Sequence, residues 1–61
     1  MSLPESKIRE ISAAGMMSAT VDADRKAAIL EDVLRDVAPE DVPAARMIAA
    51  LAEEVIRLSM R

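Results

Sequence analysis

Asp22 and Asp24 have the spacing that opens a calcium-binding loop, where carboxylates at alternate positions converge on one cation. Such a loop also needs a glycine at its sixth position for the sharp turn and a bidentate glutamate at its twelfth. Those places hold Ala27 and Val33, so the two aspartates read as helix-capping residues. The acids Glu31, Asp32, Asp36, Glu40 and Asp41 offer oxygens to a divalent ion, but with Arg35 among them they read as a solvated acidic surface. No metal site is expected.

Nucleophilic chemistry lacks its parts. Ser6, Ser12, Ser18 and Ser59 have no histidine to activate them, and the chain has no cysteine. A single glycine rules out a glycine-rich phosphate loop. Paired carboxylates acting as acid and base need a desolvated cleft that separates their pKa values. Glu53 and Glu54 are neighbours on a helical stretch, about 100° apart, and cannot converge. Glu53 is instead placed to pair with Arg57 four residues on, on an exposed face. The expectation is a protein without catalytic residues or cofactor, and not an enzyme.

Arg46, Arg57 and Arg61 would suit a nucleic-acid-binding helix following a turn. The N-terminal end of that helix, where bases would be read, holds Pro43, Ala44, Ala45 and Met47, leaving only Arg46 able to hydrogen-bond. Seven acids against three bases between Asp22 and Asp41 would repel a phosphate backbone, and the net charge of −3 points the same way. No aromatic residue is present to stack on a base. Nucleic acid is therefore an unfavoured partner.

What remains is packing. Of the 52% apolar residues, twelve are alanines, and the bulk comes from five each of Leu, Ile, Val and Met. Alanine favours helix and close approach more than it adds buried area. A 61-residue chain reads as one small domain, residues 1–61, and domains of this size commonly need a disulfide, a metal or a second subunit to hold together. With no cysteine or histidine, association with another copy is the expected route. The opening Met1-Ser2-Leu3-Pro4-Glu5 lacks a basic segment followed by an apolar one, and no run of about 18 apolar residues occurs. A cytoplasmic protein with no membrane contact is the corresponding expectation.

Three helices are predicted, giving an all-α class: a small bundle of two main helices and a shorter N-terminal one, assembled as a symmetric oligomer. The first spans about Pro4 to Ser18, opened by Ser2-Leu3-Pro4-Glu5 in capping-box form and supported by a Glu5–Arg9 pair. Its stripe is thin, Ile8, Ile11 and Gly15, and Gly15 marks either a close helix approach or an early end. The second spans about Ala23 to Val37, after Thr20 or Asp22 as cap, with Ala23, Ala27, Leu30, Val33, Leu34 and Val37 on one side. Pro39 turns the chain, and the third helix runs from about Asp41, its cap, to Met60.

Apolar residues cover about half of that third helix, enough for two neighbours. The expected arrangement is an antiparallel hairpin of the second and third helices, with Ile48, Leu51, Val55 and Leu58 facing inward. Ala45, Ala52 and Ile56 are then left for another chain. Leu30, Leu34, Ile48, Leu51, Ala52, Val55, Ile56 and Leu58 are the residues expected at the interface. Met16, Met17, Met47 and Met60 fill gaps in the core or self-interface, or line an adaptable groove for a partner. The functional expectation is a self-associating helical interaction module that binds or regulates a larger protein. The alternatives are a small DNA-associated regulator and an accessory subunit of an enzyme complex.

Overall fold

Leu3 and Pro4 lead into α1, Glu5–Ser18, followed by α2, Ala23–Leu34, a single 3₁₀ turn at Pro39–Asp41, and α3, Val42–Ser59. The computed structural model describes residues 3–61, and among these there is no strand. An all-α small bundle is therefore what the chain forms. None of the described helices is long and apolar enough to cross a membrane.

Local chemistry accounts for the helix starts. Pro4 is the N-cap of α1, its extended backbone presenting a carbonyl that accepts from the Lys7 and Ile8 amides at 3.0 Å. The Ser2 half of the expected capping box lies outside the described residues. Glu5 and Arg9 pair at 2.8 Å, as their spacing requires. At α2, the Asp22 carboxylate accepts from the Arg25 amide at 2.7 Å, and Asp24 adds negative charge to the first turn.

Two ends differ from expectation. The second helix stops at Leu34, three residues before the predicted Val37, because the Val37 amide bonds the Leu34 carbonyl at 3.1 Å and tightens the chain. Val37 drops into the core as part of this turn. Asp41 occupies the N-cap position of α3, yet its side chain makes no capping hydrogen bond; it is buried and otherwise engaged. Pro43 sits in the first turn of α3, where its missing N–H costs no helical bond.

The larger correction concerns which helices pair. The predicted hairpin of the second and third helices does not form its contact: α1 packs most extensively on α3, less on α2, and α2 touches α3 only lightly. Small residues decide this. Ala14, Gly15 and Ser18 of α1 and Ala45 and Ala49 of α3 are all buried, so the two backbones meet with little side chain between them. The Ser18 hydroxyl, fully buried, donates back to the Ala14 carbonyl at 2.8 Å and brings no unpaired polar group to the contact. Ile11, Leu34, Val37, Ala45 and Ala49 form the core, with Leu3, Leu30, Val33, Val42 and Ile48 partly buried around it.

Candidate interaction surface

Because α3 turns its alanine line toward α1, its bulkier stripe points away. Met47, Leu51, Val55 and Leu58 are 65%, 63%, 61% and 52% exposed. At 100° per residue these four lie within an arc of about 80°, and along the helix they span roughly 16 Å. Three of them, Leu51, Val55 and Leu58, were expected to pack inward against the second helix. The face expected to await another chain is the one in use within the chain: Ala45 is fully buried, and Ala52 and Ile56 are half-buried.

The other expected interface residues divide by position. Leu34 is buried in the core, and Leu30 and Ile48 are partly buried against it. Leu51, Ala52 and Val55 line a shallow groove together with Ile48 and with Ser12 and Met16 from α1. Met16 and Met47, expected to fill the core or a self-interface or to line a partner groove, are exposed on this surface and not in the core. Their signal was the residue type, since an unbranched thioether in a chain without aromatics is a flexible apolar contact.

Glu53 departs furthest from its reading. Its expected pair with Arg57 is present, at 2.5 Å on Oε2, but the residue is buried and its Oε1 receives the Lys26 ammonium of α2 at 2.8 Å. Lys26 above all, with Arg57, holds the Glu53 carboxyl below the usual carboxylate range, against the opposing effect of burial. This carboxylate ties α2 to α3, the two helices that pack least on each other. At the other end of the bundle Lys7 bridges Glu10 at 3.0 Å and Asp36 at 2.6 Å, linking α1 to the turn after α2. Asp36 first and then Glu10 raise the Lys7 pKa, with burial acting against them, and Asp36 is lowered in return.

These ion pairs are structural ties. Among the described residues no three His, Cys, Asp or Glu side chains gather as a metal site requires. Between α2 and α3 a second groove has Ala27, Leu30, Leu34 and Val42 as its apolar lining and Lys26 and Arg46 among its polar residues. The groove on the outward side of α3, by contrast, has Ser12 as the one polar residue of its lining. No protein-family model matches the chain, and neither a curated protein nor a solved structure matches it.

Proposed function

We propose that this chain is a non-enzymatic helical interaction module that associates with itself through the outward stripe of α3 and thereby holds or regulates a larger protein. The observation carrying this reading is the set Met47, Leu51, Val55 and Leu58, each more than half exposed on one face of one helix. Scattered single apolar residues on a surface are ordinary, whereas a contiguous stripe beside a groove is a place where association removes apolar area from water. Each Leu or Val side chain fully transferred from water contributes about 1.5–3 kcal/mol. For a chain whose own core rests on Ile11, Leu34, Val37 and two alanines, that contribution is large.

Charge supports a protein partner over a phosphate backbone. The net charge is −3, and Arg57, one of the three arginines a DNA-reading helix would use, is drawn to Glu53. The test is thermal unfolding across a wide range of protein concentration. The midpoint is expected to rise with concentration, because association stabilises only the folded state; a midpoint independent of concentration would remove the support for self-association.

A further inference from the structure

We infer that the groove between α2 and α3 takes an amphipathic helix of a partner protein, with apolar anchors on its inner face and carboxylates along its flanks. This rests on the interaction-module reading above for the existence of a larger partner, and it does not depend on self-association through the stripe. Packing, charge and length each point to this occupant.

Packing leaves the place open. Helix α1 packs on both α2 and α3, whereas α2 and α3 pack least on each other, and no residue of α1 lines the groove between them. Its apolar floor is Ala27, Leu30, Leu34 and Val42, of which Leu30 and Val42 are half-buried and Ala27 is exposed. A fourth helix laid here would complete a four-helix arrangement and remove this floor from water. No sheet edge is present among the described residues to hold an extended segment by its backbone, so the recognition mode that fits is a helix in a groove.

Charge selects the chemistry. At 100° per residue Glu53, Arg46 and Arg57 fall within about 40° of one another on α3, centred about 140° from Leu51 and so well away from the outward stripe. Arg46 lines the groove and has no ion pair among the described residues. Lys26, also in the lining, shares the one carboxylate of Glu53 with Arg57, which leaves that trio with a net positive charge. Arg35 pairs with Asp32 at 3.5 Å, but Asp32 lines the groove between α1 and α2 instead. Glu31 is the one acid in the lining. Even with Asp32 and Glu53 counted, four cations here meet three acids; of the chain's eight bases and eleven acids the remaining surface therefore keeps four and eight. A positive groove on a chain of net charge −3 complements an acidic partner.

Length decides between a helix and a small anion. Arg46 and Arg57 are eleven residues apart, roughly 16 Å along α3. A single carboxylate head reaches one of them, whereas a helix of about three turns carries carboxylates past both.

Fluorescence anisotropy with two labelled, end-blocked peptides of about 14 residues tests this. Both carry leucines along one helical face, one with glutamate and the other with lysine on the flanks. The glutamate peptide is expected to bind the wild-type chain with a dissociation constant between about 1 μM and about 100 μM at low salt, at least about tenfold tighter than the lysine peptide. Arg46→Glu and Ala27→Glu, both at exposed positions and checked for retained helix by circular dichroism, should each weaken the glutamate peptide about tenfold. Leu51→Asp should leave its binding unchanged, because the stripe lies on another face. Groove binding in a wild-type chain that stays monomeric would uphold this inference while overturning self-association. No binding of the glutamate peptide at about 1 mM, equal binding of the two peptides, or a loss in Leu51→Asp that Arg46→Glu does not share would overturn the groove assignment and leave self-association standing. A single-stranded oligonucleotide bound as tightly as the glutamate peptide would also overturn it, as would loss of self-association in Arg46→Glu, which would give the groove to a second copy.

Discussion

Gly15 of α1 lies against the main chain of Ala49 of α3, so close that an added Cβ would fall 2.9 Å from the Ala49 Cα and carbonyl carbon and nearer still to its oxygen. Backbone atoms cannot rotate aside as a side-chain tip can. Gly15→Ala therefore sets two effects in opposition. Helix propensity favours alanine by up to about 1 kcal/mol, and the forced separation of α1 and α3 opposes it. The steric effect is expected to dominate, with a net loss of about 1–3 kcal/mol in urea unfolding. An equal or higher stability for Gly15→Ala would show that the helices do not meet here.

This contact also explains which parts of the fold the sequence disclosed. Helix existence, the Asp22 cap and the Glu5–Arg9 and Glu53–Arg57 pairs follow from local spacing, and each is present. The partner of each helix face does not follow from spacing. A wheel shows that α3 is apolar over half its circumference, but it ranks Leu51 and Val55 above Ala45 and Ala49 as core residues because they bury more area. Gly15 reverses that ranking: a residue without a side chain lets α3 approach along its smallest line, and the large stripe is turned outward. The same rotation buries Glu53, whose polarity alone had marked it as exposed. The end of α2 at Leu34 is hidden for a related reason, since Val37 is in phase with the helical stripe but reaches the core from a turn.

Glu53 gives the protein an acid limit. A carboxyl whose pKa is lower in the folded chain than its ordinary 4.5 contributes stability that is complete above that value and is lost as pH falls through the folded one. Stability is thus expected to decline as pH drops below 4.5. Glu53→Gln should cost about 1–3 kcal/mol at neutral pH, because Lys26 and Arg57 lose their shared counter-charge, and should flatten the acid limb. Urea titrations at neutral and acid pH measure both effects. An acid limb as steep in Glu53→Gln as in the wild type would contradict this role.

At the alkaline end the sign is opposite. Lys7 has its pKa raised above 10.5 by Asp36 and Glu10, so its contribution is complete below that value and is lost as pH rises through the folded one. Between about pH 9 and about pH 11.5 the wild type should lose more thermal stability than Lys7→Met. Parallel losses in the two proteins would mean that the Lys7–Asp36 bridge between α1 and the turn after α2 has no energetic role.

Leu51→Asp separates association from folding. In a single chain Leu51 is mostly in solvent, so the substitution leaves the core of α1, α2 and α3 intact. In self-association through this stripe it would place a carboxylate in an apolar contact without a partner. The variant is expected to keep its helical far-UV spectrum in the cold, to melt lower than the wild type, and to associate at least about a hundredfold more weakly. Loss of helix at all temperatures would place Leu51 in the core of the single chain instead.

Sedimentation equilibrium of the wild-type chain between about 1 μM and about 1 mM tests directly whether a second copy covers the exposed stripe of α3. The mass is expected to climb from that of one 6.6 kDa chain to that of two. A mass that stays at one chain up to the highest concentration would contradict it.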